Sequence, residues 1–290
     1  AAFRRYGNDL VSIFSTTSTL AEAMGTRMEF FDEDAPQIAE QPLLELDDIR
    51  KIHLPDFRKD GRLSVYLEAT ELAVAEVGSE VVVGTILAGP FTTAAALRPL
   101  DFFVKDLYKN SAWVHELLEL CCQAGIAFID EILARKALPI IVEPIGSGSL
   151  VSPRHFREFV APYLKRMADH IHANGGGLPA ALHICGKTRP NLEAMLEADF
   201  DLWSLDAVDL GEVREIAGHR ATLVGNVSPA NLLKNSPDEI DTEARLICAK
   251  AMGSPRGFIL ASGCEVPINT PPENIDALIN AARKYGRFDQ

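Results

Sequence analysis

The sequence predicts an α/β fold, a (β/α)8 TIM barrel of which seven strands are visible. Three observations point to it. Seven short apolar runs alternate with amphipathic segments almost to the end of the chain, which is the βα rhythm of a parallel sheet. The runs are near-continuously apolar, as strands covered on both faces should be, and most end on a polar residue. Finally, 290 residues with 47% hydrophobic content suffice for one large core, so a single barrel domain over residues 1–290 is as natural as two domains.

The elements follow in order. Residues 1–7 read as the end of a helix, so a first strand and its helix are expected ahead of Ala1. Strands are expected at Leu10 to Ser15, Val81 to Leu87, Pro139 to Glu143, Ala180 to Cys185, Asp201 to Asp206, Ala221 to Asn226 and Gly257 to Ser262. Phe30 to Gly61, broken by Pro36, Pro42 and Pro55, reads as a long surface excursion. In Ser111 to Ala137, Trp113, Leu117, Leu120, Ala124, Phe128 and Ile132 recur at three- and four-residue steps, the apolar stripe of a helix. Ser152-Pro153, Ser228-Pro229 and Ser236-Pro237 each pair an N-cap with a proline at the first helical position. Thr270-Pro271 is expected to open the last helix in the same way. A doubly wound open sheet is the competing architecture.

A barrel gathers its chemistry at the carboxyl ends of its strands. There lie Thr16, Glu143, His183, Cys185, Asp206, Asn226 and Cys264. His183 and Cys185 are two apart on one strand, so they share a face. Cys264 ends a strand about 80 positions downstream. One imidazole and two thiolates form a nitrogen–sulfur donor set that zinc favours, and three protein ligands leave a position for substrate. Glu143 either supplies a fourth ligand or accepts a hydrogen bond that orients His183. Asp206 and Asn226 are rim candidates for substrate contact, or else turn and capping residues. Gly146-Ser147-Gly148-Ser149 is either a mobile lid or an ordinary βα loop.

Other residues are set aside. His170 and His172 diverge on a helical segment, and Cys121, Cys122 and Cys248 read as packing residues on helices. His53, His115, His155 and His219 have no ligand-like companions. With 28 basic against 41 acidic residues the net charge is −13, which argues against a nucleic-acid or anionic-membrane partner. No apolar stretch approaches the roughly 20 residues of a membrane span. No signal-peptide pattern is visible, and five cysteines fit a reduced, cytoplasmic setting.

His183-Ile184-Cys185-Gly186, Val224-Gly225-Asn226-Val227-Ser228-Pro229 and Ala261-Ser262-Gly263-Cys264 resemble the uroporphyrinogen decarboxylase superfamily, and more narrowly its zinc-dependent, corrinoid-linked methyltransferase branch. The resemblance runs from about Leu10 to Tyr285 and includes Glu143-Pro144, Ser149 to Pro153 and Thr270 to Asn274. Two positions separate the branches. The decarboxylases have an essential aspartate where this chain has Thr16, and a histidine where it has Cys264. The resemblance implies zinc on His183, Cys185 and Cys264. It also implies methyl transfer between a corrinoid (methylcobalamin) and a thiol such as coenzyme M, in a direction the sequence leaves open. The chain lacks an Asp-x-His-x-x-Gly cobalamin motif, so the corrinoid is expected on a separate protein. The rival readings are a metal-free porphyrinogen decarboxylase and a non-catalytic barrel that binds a corrinoid or a thiol.

Overall fold

A computed structural model describes residues 2–14, 16–32 and 35–287. In chain order its strands are β1 (Leu10–Ile13), β2 (Arg27–Glu29), β3 (Gln37–Glu40), β4 (Val82–Ala88), β5 (Leu138–Val142), β6 (Ala181–Ile184), β7 (Leu202–Leu205), β8 (Thr222–Val227) and β9 (Phe258–Ser262). All seven apolar runs are strands. Ser15, at the end of the first run, and Ala1 lie outside the described residues.

The seven form one sheet in the order β1-β4-β5-β6-β7-β8-β9, every pair parallel. The order follows the chain without a reversal. A doubly wound sheet needs such a reversal, so that alternative is excluded. Residues from all seven strands, among them Leu10, Ile86, Ile140, His183, Ser204, Val224 and Ala261, line one cavity of about 620 Å³. The sheet is therefore curled around it, with β1 and β9 as its two edge strands.

Strand alternation divides the side chains. Val142, His183 and Ser204 are register partners, and all three face the cavity. Their neighbours Ile141, Leu182, Ile184, Trp203 and Leu205 are buried in the main hydrophobic cluster, which also contains the inner faces of the helices. Helix Ser111–Ala134 contributes Leu117, Cys121, Phe128 and Ile132 to that layer. It stops short of Ala137 because Lys136 takes a left-handed conformation, φ 60°.

The helix starts follow the sequence closely. Ser152 accepts from the His155 N–H, and Ser236 forms a reciprocal capping box with Glu239. The last helix, Pro272–Tyr285, begins one residue later than Thr270-Pro271 suggested. Two adjacent prolines compete for its first position, and the second occupies it. The excursion is more ordered than expected: β2 and β3 pair antiparallel and a 3-10 turn spans Leu46–Lys51. No described helix is long and apolar enough to cross a membrane.

Candidate metal centre

His183 and Cys185 leave β6 on the same face, as the two-residue repeat requires. Gly186 then turns the chain in the left-handed region, φ 73°, where a Cβ would come within 3.0 Å of Ser147 Oγ. The Gly186 N–H donates to Asp206 Oδ2 at 3.0 Å, so Asp206 secures the turn that carries Cys185. Cys264 arrives from the other direction, just past β9. The ligand atoms of His183, Cys185 and Cys264 all lie within 4.8 Å of one another, and all three residues are half-buried.

This arrangement fits zinc. Bonds of about 2.3 Å to sulfur and about 2.0–2.1 Å to nitrogen give a tetrahedral N···S edge of about 3.6 Å. Cys264 Sγ lies 3.6 Å from His183 Nε2. His183 Nδ1 is 3.0 Å from Ser204 Oγ. With the proton on Nδ1 donated to that hydroxyl, the Nε2 lone pair points at the thiols. Of the two thiols, Cys264 is held low, first by a hydrogen bond with Cys185 and then by one with His183. Cys185 is pushed up by the same hydrogen bond, by burial and by the negative charges of Cys264 and Asp206. One cysteine is thus a ready thiolate and its neighbour the donor that stabilises it.

Glu143 takes a different place from the expected one. Its carboxylate accepts from the Phe91 N–H at 3.2 Å and the Thr92 N–H at 2.6 Å, and also from the Thr92 hydroxyl. It is fully buried at the start of helix Pro90–Leu97, where backbone N–H groups favour an anion. It is outside the ligand group, and in this conformation it neither completes the metal site nor accepts from His183. Gly89 makes room for it, since a Cβ there would overlap Glu143 Oε2. The reason is parity: Glu143 follows Val142, so it faces the helices while Val142 faces the cavity.

Asp206 and Asn226 take the second of the two places expected for them, holding turns. Neither lines the 620 Å³ cavity; both line a second one, of about 320 Å³, beside Glu243 and Lys250. The Asn226 amide donates to the carbonyls of Asp206 and Val208, both at 2.7 Å, which holds β8 against the turn after β7. The Gly146–Ser149 segment is anchored at its start, where Gly146 and Ser147 are buried and Asn191 donates to the Gly146 carbonyl, and is exposed at Ser149. At the end of β1, Thr17 reaches the cavity and Thr16 does not. Ser204 was missed, although it lies opposite His183 on the next strand.

Burial drives the Glu143 carboxyl up to about 7, against the pull of its three donors. Its ordinary value is about 4.3. Between the two values the folded protein holds a proton that the unfolded chain has lost, so the stabilisation Glu143 gives at low pH is lost as pH rises through about 7. The stability difference between wild type and Glu143→Gln should therefore shift steadily from about pH 4.5 to 7 and level off above. Urea titrations of both metal-free, reduced proteins across that range check it.

The remaining histidines and cysteines behave as expected. His170 meets Asp130 at 2.6 Å and His172 meets Asp201 at 2.8 Å. Cys121, Cys122 and Cys248 are buried. Among the described residues one other group, Asp169, His172 and Asp199, brings ligand atoms within 4.8 Å, but it is exposed. Lys165 pairs with Asp169 and Arg220 with Asp199.

A family model for uroporphyrinogen decarboxylase matches residues 1–285. The chain belongs to the uroporphyrinogen decarboxylase family. Its relatives in that family include a methylcobamide:CoM methyltransferase, MtaA, of Methanosarcina barkeri, 29% identical over 98% of this chain and 82% of the relative. They also include a uroporphyrinogen decarboxylase of Shewanella loihica, 29% identical over 97% of this chain and 80% of the relative. A solved methyltransferase from Methanosarcina mazei superposes with a TM-score of 0.88 at 28% identity, over 99% of this chain and 83% of that one. A B12-independent methionine synthase from Shewanella sp. W3-18-1 shares the fold, with a TM-score of 0.66 at 13% identity, over 97% of this chain and 84% of that one.

Within the uroporphyrinogen decarboxylase family, overall identity does not separate the two activities. At the cavity, Ser204 supports the candidate donor set through His183 Nδ1. Ser204→Ala should weaken zinc binding by about 10–100-fold while leaving the melting temperature of the metal-free protein in place. Competition with a chelating indicator reads that affinity.

Proposed function

We propose that this protein is a zinc-dependent methyltransferase that moves a methyl group between a corrinoid on a separate protein and a small thiol. The observation that carries the reading is the meeting of His183, Cys185 and Cys264 on the wall of one cavity. Residues 1–290 would work as one barrel unit in a reducing cytoplasm, where its free cysteines stay reduced.

Zinc bound there would supply a Lewis-acidic position that lowers the pKa of a substrate thiol. The chain's own residues do the rest. Cys264 and Cys185 provide negative charge that keeps the bound sulfur electron-rich, and Ser204 fixes the His183 tautomer. Asp206 fixes the turn behind Cys185, and the apolar cavity wall keeps water from the reacting sulfur. In the thiol-methylating direction this sulfur would attack the methyl carbon of the corrinoid, the second substrate. The S–C bond would form as the Co–C bond breaks, whose electron pair leaves with cobalt(I). The reverse transfer would use the same residues.

A metal-free decarboxylase is the rival, since decarboxylases are equally similar overall. It fares worse at the site: where the decarboxylases resembled carry a histidine, this chain has Cys264, whose thiol lies with His183 and Cys185 in a group of metal-ligand type. The test is metal content of untagged protein, followed by methylcobalamin with a panel of thiols. About one zinc per chain and thiol methylation are expected. No metal after zinc is offered under reducing conditions, with porphyrinogen decarboxylation observed, would reverse the assignment.

A further inference from the structure

The two thiols of the candidate metal centre also meet each other. The sulfurs of Cys185 and Cys264 lie within 4.8 Å and are joined by a hydrogen bond. A disulfide needs a separation of about 2.05 Å, so the sulfurs have less than about 3 Å to close. The two sides are built differently. Cys185 is held by the Gly186 turn that Asp206 secures. Cys264 opens residues 264–271, which form neither helix nor strand between β9 and the last helix, so the movement can come from that side. The other cysteines offer no such pair. Cys121 and Cys122 are neighbours on one helix, pointing about 100° apart, and with Cys248 they are buried in the hydrophobic layer.

We infer that Cys185 and Cys264 are a redox modification site, which hydrogen peroxide closes into a reversible disulfide when the metal is absent. Either sulfur can begin. If Cys264 does, its thiolate attacks one oxygen of the peroxide. The S–O bond forms, the O–O bond breaks, and the second oxygen leaves as hydroxide and takes up the proton that the thiol gave up. The Cys185 sulfur then attacks the sulfenic acid so formed. The S–S bond forms, the S–O bond breaks, and the departing hydroxide takes the Cys185 proton. Two thiols and one hydrogen peroxide become one disulfide and two waters. A disulfide has no thiolate to give a metal, so His183 is left as the one ligand of the three. Zinc in the site ties up both sulfurs and protects them. The pairing rests on the sulfur geometry alone; its link to metal rests on the methyltransferase reading.

One oxidation series separates these. Reduced, metal-free wild-type protein is treated with hydrogen peroxide, with and without one equivalent of zinc. Its thiols are counted and its peptides mapped by mass spectrometry. Two of the five thiols should disappear, into one peptide pair joining Cys185 to Cys264. Bound zinc should slow this at least about tenfold. The oxidised protein should take up no zinc until dithiothreitol reduces it, and Cys264→Ser should form no disulfide. A Cys185–Cys264 disulfide in a protein that binds no zinc and gains no protection from it supports the pairing and sinks the metal reading. Stoichiometric zinc binding by a protein whose two sulfurs stay unpaired under peroxide, or end as separate sulfinic acids, overturns the inference and leaves the metal reading standing. A disulfide to any other cysteine overturns it as well.

Discussion

Cys264→Ala should release the metal while leaving the fold intact. Cys264 is the one ligand that comes from β9, and its thiol is the one poised to ionise. Zinc sites with four ligands bind with roughly 10–16 kcal/mol at neutral pH, or about 3 kcal/mol per ligand. Losing one ligand should weaken binding by about a hundred- to a thousandfold, and methyl transfer should vanish with the metal. The cost to the apo fold should be small, because Cys264 is only half-buried and follows the strand. Mass-spectrometric zinc content and far-UV circular dichroism of the same sample test both halves. A variant that retains stoichiometric zinc would sink the ligand assignment.

Glu143→Ala should do the reverse: destabilise the fold and spare the metal. Removing the carboxylate orphans the Phe91 and Thr92 N–H groups and the Thr92 hydroxyl inside the protein. Each buried orphan costs about 1–3 kcal/mol, so a loss on the order of 3 kcal/mol is expected. At roughly 2 °C per kcal/mol for a chain of this size, the melting temperature should drop on the order of 6 °C. Zinc content should stay near one per chain. If zinc is lost while the melting temperature holds, the carboxylate reaches the metal and the geometry described above is not its working position.

The contrast between these residues shows what the sequence made legible. The seven strands could be read because buried parallel strands are continuously apolar, and their order because short βα connections leave few alternatives. His183 and Cys185 were readable from the two-residue repeat. The same repeat, applied to Ile140-Ile141-Val142-Glu143, puts Glu143 on the helix side; its position at the end of a strand hid this. Its true partners, Phe91 and Thr92, lie about 50 residues upstream and carry no charge to advertise them. Asn226 is a subtler case. Its strand position suits the rim, but its amide is taken up by two backbone carbonyls, and backbone acceptors leave no trace in composition. The β2–β3 pair escaped notice because three residues, Arg27-Met28-Glu29, are too few to show an alternation.

Sheet order that repeats chain order has a consequence for biosynthesis. Each new βα unit emerging from a ribosome finds the edge of the preceding strand already formed and waiting. The body of the protein can therefore grow by addition, one strand at a time, without holding a partner open for a distant segment. The proposed metal site cannot. His183 and Cys185 are in place once β6 has docked, but Cys264 joins only with the last strand. Until β9 has docked, the nascent chain thus presents two of the three candidate ligands and not the third. On the proposed reading, metal loading waits for β9, and tight retention is itself a report that the sheet from β6 to β9 has been laid down in order.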